Sequence, residues 1–251
     1  MKVIGKEITG KISTHIFTCK LDDEIMNNKL KAEYGNNFLT TYKKFVPFEL
    51  KIYNEDEDMY EQIPKLKEFV DRNKHRFEGL DPIKKFWKDG VRFCYKVYAV
   101  THTILNIKGY NGLIWIDADT VFHKAINTEW IYKNIHRDDC MMAYLGRGDK
   151  HYSECGFLYF NLLHPSIKSF AQQMQKMYNE DLIYKEDQQH DSYIWDVVRK
   201  RFEEIMRVKN NDLGDGKGGH VQARSLLGQY FDHLKGPKRK QKGRSPEFRG
   251  N

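Results

Sequence analysis

Asp117 and Asp119 stand one small residue apart in Ile116-Asp-Ala-Asp-Thr-Val-Phe122, directly after the apolar run Gly112-Leu-Ile-Trp-Ile116. Strand side chains alternate, so both acids would point to one side. Two carboxylates that close repel each other unless a cation intervenes, and hard oxygen donors suit Mg²⁺ or Mn²⁺. A metal held by few protein groups keeps positions open for a diphosphate and offsets charge on a leaving group. A bare Asp-x-Asp is often just two solvated loop acids, one of them capping the next helix. Here core residues flank the pair on both sides, which favours the metal.

The elements that must position this pair read as an α/β chain. Gly112 to Ile116 is the short continuous apolar run of a strand buried on both faces of a parallel sheet. In open sheets of that kind the ligand crevice lies beyond the carboxyl ends of the strands. Ile12 to Thr18 predicts a first strand and Phe45 to Tyr53 a second, with an acidic loop over 54–58 and a helix with loops over 22–44. Phe93, Val97, Val100, Ile104 and Ile107 recur at helical spacing. Gly156 to Asn161 predicts another strand. Pro165 then suits a first helical turn, with Ile167, Phe170, Met174 and Met177 on the buried face. A last helix carries Ile194, Val197, Val198, Phe202 and Ile205. Asn210 to Gly219, with four glycines, predicts a loop. Alternating strands and helices, with no repeat or linker, imply a single domain over 1–240. Its sheet is mixed but mostly parallel, with helices on both faces, and a basic flexible tail follows over 241–251.

The formal charge of +7 over 251 residues is concentrated near the end, where Lys235 to Asn251 holds seven basic side chains and one acid. Such a balance suits an anionic partner: nucleic acid, acidic membrane or phosphorylated small molecule. Cys19, Cys94, Cys140 and Cys155 form no Cys-x-x-Cys pair, and Cys94 and Cys155, in apolar surroundings, predict buried free thiols. No apolar run approaches the roughly 20 residues that span a bilayer, and the N-terminus lacks an apolar signal core. A soluble cytoplasmic protein is expected.

The tetrapeptide Asp117-Ala-Asp-Thr120 at the end of a buried strand resembles the D-x-D motif of the Rossmann-like GT-A glycosyltransferases, most closely the glycogenin and lipopolysaccharide galactosyltransferase group. Further along, Glu154-Cys-Gly-Phe-Leu-Tyr-Phe-Asn-Leu162 is similar to the group's Asn-x-Gly-x-x-x-x-Asn-Leu segment, with Glu154 in place of Asn. Gln189-His-Asp191 loosely matches its Asp-Gln-Asp helix start. His233-Leu-Lys-Gly236-Pro-Lys238 matches its His-x-x-Gly and lysine, with the lysine one residue closer. These matches follow the family's order over most of the chain.

The resemblance implies metal-dependent transfer of a sugar, a hexose by preference, from a nucleotide-diphosphate sugar, UDP-linked by preference, to a saccharide, protein or other acceptor. It implies that Asp119 binds Mn²⁺ or Mg²⁺, that Asp117 binds metal and donor ribose, and that His233 is the third ligand through a neutral ring. On the residues alone, His233 serves equally as a helix-end histidine. Gly236 would allow close approach of a phosphate and Lys238 would supply charge to the diphosphate. Arg92 and Lys96, four apart on one helix, are second candidates for the phosphates or else an ordinary solvated basic face. Topology alone puts Thr18 and Tyr53 at the nucleobase.

Asp191, Glu154 and Gln189 are the groups expected near the sugar and acceptor, although Asp191 could instead cap its helix. The transition state is oxocarbenium-like, and the resemblance leans towards retention of configuration. The first part of the tail is expected to close over the donor, with disorder beyond Ser245. A nucleotidyltransferase of related fold is an alternative, but the expected glycine-rich loop after the first strand is replaced by Cys19-Lys-Leu-Asp-Asp-Glu24. A nucleic-acid-binding protein is another; the tail has the charge but lacks interleaved aromatics, which leaves nucleic acid a place only as acceptor.

Overall fold

The structure, a computed structural model, describes residues 12–17, 38–53, 57–79, 81, 84–149, 151–235, 239 and 242–247. Its centre is a six-stranded sheet of order β2-β1-β3-β6-β5-β7. The strands are β1 (Ile12–Phe17), β2 (Glu49–Tyr53), β3 (Gly112–Ile116), β5 (Cys140–Leu145), β6 (Glu154–Asn161) and β7 (Lys209–Asp212). The β1–β2, β1–β3 and β5–β7 pairs are parallel, whereas β6 is antiparallel to both β3 and β5, so β6 alone runs against the other five. The short strands β4 (Thr120–Phe122) and β8 (Phe231–His233) form a separate antiparallel pair.

The helices are α1 (Phe38–Phe45), α2 (Glu57–Gln62), α3 (Pro64–Asn73), α4 (Gly90–Asn106), α5 (Thr128–Asn134), α6 (Ile167–Asn179), α7 (Asp191–Met206) and α8 (Val221–Arg224). They cover both faces of the sheet. On one face Leu113, Trp115, Leu158 and Phe160 pack with residues of α3, α4, α6 and α7, among them Val97, Phe170 and Trp195. On the other, Ile114, Ile116, Phe157 and Tyr159 pack with α1, α5 and the β4–β8 pair. All five residues of β3 are buried, and each large side chain removed from water contributes about 1.5–3 kcal/mol. The continuous apolar run is thus the signature of a central strand. Helix α4 starts where Asp89 accepts the Arg92 N–H at 2.9 Å, a side-chain cap for an otherwise orphaned donor.

The mixed, mostly parallel sheet with helices on both faces is the architecture expected from the sequence. Several local expectations differ. The helical residue Phe45 ends α1, and β2 begins only at Glu49, because Pro47 disfavours helical backbone at Val46. The acidic stretch after β2 already starts α2 at Glu57. The predicted loop 210–219 opens with strand β7, an edge strand whose exposed and half-buried polar residues Lys209-Asn-Asn-Asp212 carry no apolar alternation. Asn210 and Asn211 instead anchor it, accepting the Met142 N–H at 3.2 Å and donating to Ile135 O at 2.8 Å. Ile205, expected on a buried face, is 77% exposed in the last turn of α7. Cys94 and Cys155 are buried free thiols and Cys140 is a half-buried one, while Cys19 lies outside the described residues. Among the described residues no helix is long and apolar enough to cross a membrane.

Candidate metal centre and cleft

The chain leaves β3 at Ile116 while still tied to its neighbour, since the Asp117 N–H donates to Gly156 O on β6 at 3.0 Å. A turn closed by Thr120 N–H on Asp117 O then leads into β4, which pairs with β8 so that Thr120 lies opposite His233. The Leu234 N–H extends this ladder onto Asp119 O at 2.8 Å. Backbone pairing therefore delivers His233 to the two acids from the far end of the chain. His233 Nε2 lies 2.8 Å from Asp119 Oδ1 and 3.7 Å from Asp117 Oδ2. One ligand atom from each of the three residues falls within 4.8 Å of the others.

That donor set fits a hard divalent cation: two carboxylates, partly open to solvent, and one imidazole, with space beside them for further oxygen ligands. The electrostatics point the same way. Burial would lower the basicity of His233, but Asp119, Glu154 and Asp117 outweigh it and hold the ring up at about 10. Those acids thus favour a proton on His233, and a cation bound at Nε2 would displace it. Gly156 is required here, because a Cβ on it would intrude into the His233 ring at Nδ1.

The three residues line a cleft of about 600 Å³ at the carboxyl end of β3. Beside them Lys96 spans Asp117 Oδ1 and Asp191 Oδ2, each at 3.0 Å. Its ammonium also donates to Cys155 O and lies over the Trp115 ring, whose Nε1–H donates to Asp117 Oδ1 at 2.7 Å. Burial disfavours the charge on Lys96, yet the two carboxylates outweigh it and raise its basicity. Burial likewise opposes ionisation of Asp191, and Lys96 overcomes that too. The Lys96 ammonium thus has three partners, Asp117, Asp191 and Cys155 O, and lines the same cleft. Arg92 stands exposed at the cleft rim, 5.5 Å from the Phe93 ring, and keeps its charge available.

Of the three groups expected near the sugar, only Asp191 lines the cleft. It sits in the first turn of α7, and its predecessor His190 occupies the cap position, accepting the Tyr193 N–H at 3.4 Å. Gln189 turns away: its amide donates to Glu186 O at 2.8 Å and Ile183 O at 3.4 Å. Glu154 is 1% exposed behind His233. The β5–β6 register shifts at this end of β6, between Ala143 and Leu145, and there Glu154 and Gly156 both meet His233 of β8. Tyr53 ends β2, which the register sets level with Asp117 two strands away. Thr18, Gly236 and Lys238 lie outside the described residues.

Sequence reasoning missed Trp115, Arg147, Tyr152, His190 and Lys235, all of which line the cleft. His190 could have been found as the residue between two candidates; which of three neighbours faces a cleft depends on the loop's path. Arg147 donates to Tyr152 O at 2.8 Å and Ser153 O at 3.3 Å, contacts that bring the loop after β5 to the cleft. Part of the tail also docks: Ser245 is buried, donates its N–H to Asp232 Oδ2 at 2.6 Å and its hydroxyl to His233 O at 3.3 Å.

No family model and no curated protein matches the sequence. Among solved structures, the chain is similar to a glycosyltransferase involved in the glycosylation of the major capsid of PBCV-1. That match has 11% identity and a TM-score of 0.45, over 92% of this chain and 99% of that one. It is also similar to mouse xyloside xylosyltransferase 1, with 11% identity and a TM-score of 0.43, over 82% of this chain and 85% of that one. A third is the glycosyltransferase GlyE of Streptococcus pneumoniae TIGR4, with 14% identity and a TM-score of 0.39, over 80% of this chain and 45% of that one. At overlaps this loose, the strand order and the carboxylate–imidazole cluster of the chain itself carry the functional conclusion.

Proposed function

We propose that this protein is a metal-dependent glycosyltransferase that moves a sugar, a hexose by preference, from a UDP-linked or related nucleotide-sugar donor to an acceptor. The supporting observation is the convergence of Asp117, Asp119 and His233 at the mouth of a cleft beyond the carboxyl end of β3. When bound there, Mn²⁺ or Mg²⁺ would supply positive charge to the departing diphosphate. Asp117, oriented by Trp115 and Lys96, and Asp119 would be held ready for the cation at little cost in reorganisation. Arg92 and Lys235 on the cleft wall would add charge to the donor phosphates. Asp191, fixed by Lys96, would place a carboxylate beside the sugar, where it stabilises positive charge developing at the reacting carbon. Retention of configuration is the stereochemical course that the sequence resemblance favours.

Thermal-shift titration with UDP, GDP and CDP and their sugars, each with and without Mn²⁺, tests this. The expected result is stabilisation that needs both the cation and a nucleoside diphosphate, with slow release of free nucleotide from one sugar donor. Stabilisation by single-stranded DNA without metal, and by no nucleotide, would reject it in favour of a nucleic-acid-binding protein.

A further inference from the structure

Behind the metal centre lies a second group of acids and imidazoles. Glu154 opens β6, His220 precedes α8 and Asp232 neighbours His233 on β8, and none is more than 4% exposed. Glu154 Oε1 lies 3.0 Å from His233 Nδ1 and 3.3 Å from His220 Nδ1. His220 Nε2 lies 3.7 Å from Asp232 Oδ1. The order Asp232, His220, Glu154, His233, Asp119 thus alternates acid and imidazole from the docked tail to the cleft. A buried carboxylate is costly unless paired, and the partners of Glu154 are two rings. One of those rings belongs to the metal centre.

Resting on the metal assignment proposed above, we infer that Glu154 is the positioning residue of that centre. It accepts the Nδ1–H of His233 and so keeps the Nε2 lone pair directed at the space between Asp117 and Asp119, while His220 and Asp232 hold Glu154 in place. A neutral imidazole has one donor and one acceptor nitrogen, so engaging Nδ1–H leaves Nε2 as the ligand atom. A carboxylate can only accept, so its partner must be the Nδ1–H form of the ring. A Cβ at position 156 would collide with that ring, so Gly156 leaves room for this pose. The second group does not itself look like a cation site. A carboxylate oxygen lies within ion-pair distance of each nitrogen of His220, at 3.3 and 3.7 Å, and Nδ1 of His233 is already bonded to Glu154.

Outer partners of this kind are worth about 10–100-fold in metal affinity. Mn²⁺ binding to the full chain, followed by electron paramagnetic resonance of the free ion, should weaken by that factor in Glu154→Gln and by less in His220→Gln, with cooperative melting retained. ¹⁵N-histidine spectra with Mg²⁺ should report His233 as the Nδ1–H tautomer. Unchanged Mn²⁺ affinity in Glu154→Gln, with Asp119→Ala still abolishing binding, overturns the positioning role and leaves the metal centre standing. Mn²⁺ binding that does not depend on Asp119 removes both. If Glu154→Gln does not fold, the wild-type spectrum decides alone: an Nε2–H tautomer with Mg²⁺ bound rejects the inference.

Discussion

Two clusters built from the same residue types meet at β8, one on the turn between β3 and β4 and the other on β6, and solvent access separates their roles. In the open cluster the Asp117 and Asp119 side chains are 31% and 15% exposed and border the cleft. In the sealed cluster Glu154, His220 and Asp232 are between 1% and 4% exposed. Acids with free coordination positions can take up a ligand and give it up again. Acids closed in by imidazoles can only hold geometry. His190 supplies a third environment, walled by the Phe86, Phe93 and Tyr152 rings, where burial outweighs the nearby Asp191 and pushes its basicity down to about 4.

The comparison breaks most visibly in the sealed cluster. Asp232→Ala removes the partner of both His220 and the Ser245 N–H, and should cost about 3–5 kcal/mol in urea unfolding. A loss under about 1 kcal/mol would mean that the cluster is not paired as described.

Next comes acid titration of His190. Its folded value of about 4 lies below the unfolded value of about 6.5. Between those two the unfolded chain binds the extra proton, so stability rises with pH through that window and falls on acidification, by up to about 3 kcal/mol for this group. His190→Gln should flatten the slope between pH 7 and 4.5 by a comparable amount; an unaltered slope would place the ring in water. His220 and His233 behave oppositely. Their folded basicity is raised, so their contribution persists in acid and is lost only as pH climbs through the raised values.

Asp119→Ala sharpens the contrast from the open side. Stability without metal should fall by about 1–3 kcal/mol, because the buried His233 loses its nearest acid. In wild type, Mn²⁺ at a hundred times its Kd should add about 2.7 kcal/mol to stability, and the variant should show none of it. A variant that unfolds would make Asp119 structural. A comparable stability effect is expected from Gly156→Ala, where the added methyl meets the His233 ring and should cost about 1–3 kcal/mol by melting.

How much of this was legible beforehand follows from range along the chain. The helical period of α4 and the apolar run of β3 are local patterns, and the structure has both within a residue or two of the expected bounds. Strand β7 was invisible because an edge strand held by asparagine side chains needs no apolar face. The Lys96 bridge was not legible because its second acid, Asp191, is far along the chain. Gln189 and Glu154 had the right chemistry for the sugar, but the loop path ties the Gln189 amide to Glu186 O and the irregular end of β6 carries Glu154 under His233.

By itself the sequence determined the α/β class, the buried strand that ends in two acids and the late histidine worth matching to them, because each is carried by contiguous residues. Only the tertiary structure decided that β4 and β8 bring His233 onto Asp119, that Lys96 locks Asp117 to Asp191, and that a sealed acid–imidazole ladder backs the open one. Those are contacts between segments distant in the chain. Side-chain chemistry limits which pairs can form, but the packing of the sheet selects the ones that do.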